Sequence, residues 1–403
     1  MPLPADAPAV SRAAKGRPAA SKAMVKLAKR LDGLGDYLFV KVRRDGPEQS
    51  LTLPPIDLSV GDPDEGVSRE ILREAFSVAG REAPATYPAG RGLPGLRRAI
   101  ARWMRDRHGV ALDPDREIVV LSGSKEGIAH LIHVLCEPGD TMLMGSIAYP
   151  VYRRATFLAQ GRVQALPMPE KADYWIDYSK ARKAKAIFVN YPNNPTGAVA
   201  GAEQLRDLAL WAKKQGVFVI SDAAYSELVF ERQISAPSIL AVPGARPRAV
   251  EFHSFSKTFG IPGFRLGWVC GPEPVLSALL KLKDTYDSGV SNFTQRAGQY
   301  ILEMRQRDEE LGRIRDLYRR RREIFENGLV SMGLRPFRSG ATFYVWVKSP
   351  HKNFADELRQ RQNVRLVPGD GFGPGGKGFV RFALCAAAPK LSQAIERIRI
   401  AAQ

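Results

Sequence analysis

The 403 residues predict an α/β fold in two parts: a large unit on a mostly parallel sheet between helices, and a smaller α+β unit. Three observations lead there. Between about residues 70 and 290, helical patterns alternate with short β-branched runs, the signature of strands joined by crossover helices. Past residue 290 a long charged helical stretch precedes two further strand-like segments, SGATFYVWVK and GFVRFAL. One hydrophobic core rarely grows past about 250 to 300 residues, so a chain of this length divides. The expected boundaries are a tail at 1–22, an arm and part of the small domain at 23–60, the large domain at 61–290 and the small C-terminal domain at 291–403. No internal repeat is present.

The tail is rich in Ala, Pro and basic residues with little to bury, and reads as disordered. A transit peptide shares that composition, but its several prolines oppose an amphipathic helix. The strands of the large unit are REIVVLSG, DTMLMGS, KAIFVNYP, GVFVISDAA, RAVEFHSFS and LGWVCG. Their composition is that of strands buried on both faces.

Composition excludes several classes of function. With 44% hydrophobic and 25% charged residues the chain resembles an ordinary globular protein, and no apolar run approaches the roughly 20 residues of a membrane span. Cys136, Cys270 and Cys385 are too few and too scattered for a disulfide framework or metal cluster, which fits a reducing, cytoplasmic location. His130 and His133 lie three apart on a predicted helix with no third ligand nearby, so no metal site is expected. The net charge of +18 admits nucleic acid, an acidic membrane or an anionic substrate. Its cations are spread along the chain, and the densest run, Arg313 to Arg322, reads as the solvated face of a helix.

Ligands of such sheets bind at the carboxyl ends of the strands, so the residues that follow each run carry the functional information. After REIVVLSG, the small-residue turn through Ser122, Gly123, Ser124 and Lys125 opens a helix. Its free N–H groups make either a phosphate site or a plain N-cap centred on Ser124. After KAIFVN, the turn YPNNPTG leaves an amide, Asn194, at the strand end. Asp222 is the first charged residue beyond GVFVIS, with Tyr225 three positions on; a carboxylate there needs a partner, becomes neutral, or caps the next helix. Lys257 follows RAVEFH between Ser254 and Ser256, with Arg265 eight residues further. A desolvated lysine of lowered pKa is the amine that forms imines with carbonyl compounds. The four strand ends together suit a phosphorylated aromatic aldehyde with a phenolic oxygen and a ring nitrogen, and pyridoxal phosphate fits each item. Arg381 places a guanidinium in an apolar strand, where it pairs with a substrate carboxylate or forms an interdomain salt bridge.

The series YPAGRGLPGLRRAIA, SGSKEGIAH, YPVYRR, NYPNNPTGAV, SDAAYSE, SFSKTFGIPGFRLGW and GFVRFAL resembles the class I/II aminotransferases of the aspartate aminotransferase fold. The LL-diaminopimelate branch is the most similar, through SGSKEGIAH, YPVYRR, DSGVSNFTQ and DYLFVKV. The resemblance implies the pyridoxal-phosphate transferase fold known as type I, with a seven-stranded sheet, and transfer of an amino group from an L-amino acid to a 2-oxo acid in two half-reactions. It makes Lys257 the Schiff-base lysine and proton carrier, and Asp222 the partner of the ring nitrogen. Asn194 and Tyr225 would bond the phenolic oxygen, and Tyr149 would stack on the ring. Gly123, Ser124, Lys125, Ser254 and Arg265 would hold the phosphate, with Tyr87 reaching it from the other subunit of a homodimer. Arg381 would clamp the substrate carboxylate, and the DLSVGD segment with Val60 and Gly61 would close over the substrate.

Tyr37, Lys125 and Asn292 match positions that diaminopimelate-type enzymes place around the substrate, which implies a long substrate with a polar far end. The stretch after Tyr87 lacks the acidic residue those enzymes direct at a far ammonium. Arg91 there either meets a far carboxylate, pointing to glutamate or another acidic amino acid, or is a surface cation. The same cofactor machinery also serves lyases, cyclases and oxidases. A transcription regulator would need a DNA-reading module, and the roughly 60 residues before the cofactor domain show no helix-turn-helix pattern. A catalytically dead scaffold does not fit the full set of site residues.

Overall fold

A computed structural model describes residues 25, 28–44, 53–230 and 235–402; the predicted tail lies outside them, as do residues 23, 24, 26, 27 and 45–52 of the arm. The chain divides into two compact units, Met1–Gly35 and Asp36–Gln403. In the first, the described residues form one 3-10 turn, Lys29–Leu31. Both main sheets belong to the second.

The described residues form twelve strands: β1 (Ile56–Asp57), β2 (Ile118–Leu121), β3 (Thr141–Gly145), β4 (Arg162–Leu166), β5 (Ala186–Val189), β6 (Phe218–Asp222), β7 (Ala249–Ser254), β8 (Gly267–Cys270), β9 (Tyr344–Lys348), β10 (Val364–Arg365), β11 (Val367–Pro368) and β12 (Phe379–Ala383). Seven of them make the central sheet in the order β2-β8-β7-β6-β5-β3-β4, parallel except that β8 runs against both β2 and β7. The expected mostly parallel, seven-stranded sheet is therefore present. Alternate residues of each strand enter opposite cores: Ile118 and Val120 join one cluster while Val119 and Leu121 join the other, and Ile187 and Phe188 divide likewise. This two-sided burial explains why the central strands read as unbroken apolar runs rather than alternating ones. The smaller sheet is antiparallel, β11-β12-β9, and pairs Arg381 with Trp346 and Val367.

The arginine run is not a solvated face throughout. In the helix Arg307–Val330, Arg321 and Arg322 are both only 5% exposed and lie on the same side as Ile314, Tyr318 and Phe325. Arg321 grips Asp64 through both terminal nitrogens at 2.6 and 2.9 Å, and Arg322 donates to Glu326 at 2.6 Å and to the carbonyls of Ala341 and Thr342. Helical spacing turned part of the charge cluster inward, where carboxylates and loop carbonyls satisfy it. The three cysteines are free, and among the described residues no cluster of metal-ligating side chains occurs. No helix of the described residues is long and apolar enough to cross a membrane. His130 contacts Glu126 at 2.9 Å and stacks on Tyr286.

Candidate active site

The carboxyl ends of β2, β5, β6 and β7 open onto a cavity of about 480 Å³, the place where parallel sheets of this kind bind ligands. One wall begins with Gly123, which caps the helix Ser124–Leu135 with φ +85° and no side-chain bond to the first turn. Ser124 is thus inside the helix rather than capping it. Its leading N–H groups stay available, and the positive end of the helix dipole faces the cavity. Arg265 completes the cradle: its Nη1 donates to the Pro262 carbonyl at 3.0 Å and its Nη2 to the Ser122 carbonyl at 3.4 Å. The φ of +85° is one that side chains rarely adopt, and a Cβ at residue 123 would lie 2.6 Å from Arg265 Nη2, so the end of that side chain would have to shift. Ser254, at the end of β7, and Ser256 line the same corner.

Asp222 ends β6 and is 6% exposed. Burial pushes its carboxyl pKa up, opposed by Tyr152 Oη donating to Oδ2 at 2.6 Å and by the Ala224 N–H at 3.3 Å. Lys257 lies on the short helical turn after β7 and donates to the Gly61 carbonyl. Burial, aided by Arg381 and Arg265, brings its amine down to about 8. Tyr225 Oη pairs with Tyr344 Oη at 2.9 Å, and Tyr149 Oη with Tyr37 Oη at 3.1 Å.

Arg381 has no solvent exposure. Its Nη1 donates to Asn194 Oδ1 at 2.8 Å, its Nη2 to the Ser59 carbonyl, and its guanidinium lies 4.1 Å from the Tyr344 ring centroid. Its Nε has no hydrogen-bond partner. Among the described residues it forms no ion pair, so the interdomain salt bridge admitted by the sequence is not seen there. A fully buried cation held by neutral acceptors alone is built to receive an anion.

Residues 54–398 match the aminotransferase class I and II family. The chain belongs to that family. It is 38% identical to the LL-diaminopimelate aminotransferase of Desulforudis audaxviator, over 92% of this chain and 97% of that one. Its identity to the Aquifex aeolicus protein of the same name is also 38%, over 93% and 99%. Among solved structures, a probable N-succinyldiaminopimelate aminotransferase from Thermus thermophilus is 37% identical, covers 90% of this chain and 97% of its own, and superposes with a TM-score of 0.80. A mutant aspartate aminotransferase from the same species, 26% identical, covers 94% and 100% with a TM-score of 0.85. The protein is accordingly an enzyme, a pyridoxal-phosphate-dependent aminotransferase with the aspartate aminotransferase fold.

The site of this aminotransferase fits that cofactor on its own geometry: an amine of lowered pKa, a buried carboxylate and an uncapped helix N-terminus with an arginine all border one cavity. Two residues beside Asp222 escaped sequence reading. Tyr152 bonds Asp222 directly, and Asn190 donates to the Asp222 carbonyl at 2.7 Å while its Oδ1 accepts the Asn194 N–H at 2.9 Å. Both stood in motifs already noted, YPVYRR and NYPNNPTG, but nothing in a sequence says that a helix residue will meet a strand end.

Three expected residues do not join the cavity within this chain. Asn292 begins a helix, and its Nδ2 is taken by the carbonyls of Pro84 and Thr86 at 3.1 and 2.9 Å. Tyr87, just beyond, is 89% exposed. Arg91 donates to the carbonyls of Arg116 and Ile118 at 3.0 and 3.4 Å, which orients it toward the start of β2 rather than to a substrate. Lys125 does line the cavity, yet its ammonium lies 4.2 Å from the Tyr37 ring centroid.

Proposed function

We propose that this aminotransferase exchanges the amino group of a long L-amino acid with a polar far end, LL-diaminopimelate or a relative of it, against a 2-oxo acid such as 2-oxoglutarate. It does so in two half-reactions, as a cytoplasmic homodimer. The names of the similar proteins support the substrate class. The 89% exposure of Tyr87 supports a role completed by a second copy, with Asn292 positioning the segment before it. The large PLP-binding domain would be 61–290 and the small domain 291–403 with part of 23–60.

The observation that carries the reading is that the Lys257 amine and the Asp222 carboxylate border one cavity, each with its pKa displaced by burial. When bound, pyridoxal phosphate supplies an aldehyde for the amino group and a protonated ring that takes up the electrons left at the substrate α-carbon. Asp222 would hold the proton on the ring nitrogen, and the Tyr152 hydroxyl favours the charged form of that carboxylate and orients it. Asn194 and Tyr225 would hold the phenolic oxygen, and Tyr149 would pack against the ring. The N–H groups of Ser124 and Lys125 at the Gly123 turn, with Ser254 and Arg265, would hold the phosphate. Arg381 fixes the substrate α-carboxylate, supported by Asn194 and Tyr344. Lys257 would take the proton from the substrate α-carbon and return it to the carbon on the other side of the amino nitrogen, which its pKa of about 8 suits at neutral pH. Gly61, whose carbonyl accepts from Lys257, and Val60 close the substrate side.

Lys257→Ala is expected to abolish turnover together with the borohydride-reducible chromophore. A variant that keeps both would overturn the assignment.

A further inference from the structure

A charged cluster lies directly behind the turn that opens the helix Ser124–Leu135. Lys283, on the helix Glu273–Tyr286, has a side chain with no solvent exposure. Its Nζ donates to Asp287 Oδ1 and Oδ2 at 2.7 Å each and to Glu126 Oε1 at 3.3 Å. Glu126 stands in the first turn of the helix Ser124–Leu135, where its Oε2 accepts the Ser122 N–H at 3.1 Å and its Oε1 lies 2.9 Å from His130 Nδ1. Ser122 is therefore held on two sides, by Glu126 at its N–H and by Arg265 at its carbonyl. Asp287 in turn accepts the Gly289 N–H at 2.7 Å. The cavity lining includes Gly123, Ser124 and Lys125 but neither Glu126 nor Lys283, so this pair acts from behind the turn.

We propose that Lys283 is a positioning residue for cofactor binding: it neutralises Glu126 and so keeps the turn through Ser124 and Lys125 receptive to a phosphate. The inference rests on the reading that puts the cofactor phosphate at this turn, and deepens it. A carboxylate in a first helical turn is stabilised by the helix dipole, but it also cancels part of the positive potential that the free N–H groups offer an anion. Glu126 earns its place by taking up the Ser122 N–H and fixing the entry to the turn. Its charge then needs an answer on the side away from the cavity. Burying an ammonium is costly unless its protons find acceptors, and three carboxylate oxygens supply them. One ammonium and two carboxylates leave the group a net charge of −1. Lys283→Met makes that −2, Glu126→Gln makes it 0, and the two changes together restore −1, with His130 common to all four proteins. Phosphate affinity should follow that ranking. A lysine that merely tied two helices together would instead affect phosphorylated and unphosphorylated cofactor alike.

The test measures the dissociation constants of pyridoxal phosphate and of pyridoxal for the full-length, cofactor-free enzyme by fluorescence titration, because their ratio isolates the phosphate. Lys283→Met should lower the preference for the phosphorylated form by about tenfold. Adding Glu126→Gln to that variant should bring the preference back to within about threefold of native, and Glu126→Gln alone, which keeps an acceptor for Ser122, should raise it by about threefold. Inorganic phosphate, competing with cofactor capture but carrying no ring, should follow the same order. A preference unmoved by Lys283→Met, an equal weakening of both cofactor forms, or a loss that Glu126→Gln does not reverse refutes the proposal while leaving the aminotransferase intact. If Lys283→Met fails to fold, Glu126→Gln decides: a preference that does not rise shows that the phosphate does not feel the Glu126 charge. If native enzyme binds pyridoxal as tightly as pyridoxal phosphate and ignores inorganic phosphate, the placement of the phosphate at this turn fails, and the proposal with it.

Discussion

Replacing Arg381 with leucine is the perturbation with the largest calculable effect. In the native protein the guanidinium is completely buried, its two outer nitrogens rest on Asn194 Oδ1 and the Ser59 carbonyl, and among the described residues it forms no ion pair. A substrate carboxylate arriving there would take two charge-assisted hydrogen bonds, each contributing about 1.5 to 3 kcal/mol. Losing both costs about 3 to 6 kcal/mol of transition-state stabilisation, or roughly 10² to 10⁴ in kcat/KM. Because every amino acid presents the same α-carboxylate, the loss should be of similar size for substrates with unlike side chains. Single-turnover bleaching of the loaded enzyme by three such amino acids measures this directly, with the cofactor spectrum and a thermal melt as controls for folding. A loss below tenfold for all of them, or one confined to a single side chain, refutes the assignment of Arg381 to the α-carboxylate.

The remaining predictions concern the proton chemistry. Removing the Tyr152 hydroxyl with Tyr152→Phe deletes the 2.6 Å bond to Asp222 and lets burial raise that carboxyl further. A hydrogen bond to a charged group contributes about 1.5 to 3 kcal/mol, so cofactor binding should weaken at least tenfold in a fluorescence titration; unchanged affinity would remove Tyr152 from the site. In cofactor-free enzyme, burial makes the charged form of Lys257 less favourable and lowers its pKa to about 8. The free amine therefore accumulates as pH rises through 8, and the rate of cofactor capture should climb about tenfold per pH unit below that point and level off above pH ~9. A midpoint near the ordinary lysine value in stopped-flow absorbance would show that the amine is not desolvated.

Much of the site was legible because each key residue follows a buried strand. Asp222, Lys257 and Asn194 stood out as polar groups at the ends of apolar runs, and a parallel sheet gathers its carboxyl ends on one edge whatever lies between them. The strand of the central sheet that escaped notice, β4, is an edge strand whose residues are mostly half-exposed, so its sequence RVQAL lacks the apolar continuity of the others. β8 was visible as a strand, but its antiparallel direction was not, since direction depends on which neighbour it pairs with. Tyr152 was invisible as an Asp222 partner for a related reason: it sits on a helix 70 positions away in sequence, and only packing brings the two together.

By itself the sequence determined which groups stand at the strand ends: a lysine, a carboxylate, an amide and an arginine, conspicuous because charge is costly to leave in an apolar strand end. Tertiary structure decided which cation meets which anion. It turned Arg321 and Arg322 inward onto Asp64 and Glu326, spent Arg91 on backbone carbonyls, and set Lys125 and Arg154 against one tyrosine ring. Charge pairing acts over a few ångströms in space, and separation along the chain carries almost no information about that distance.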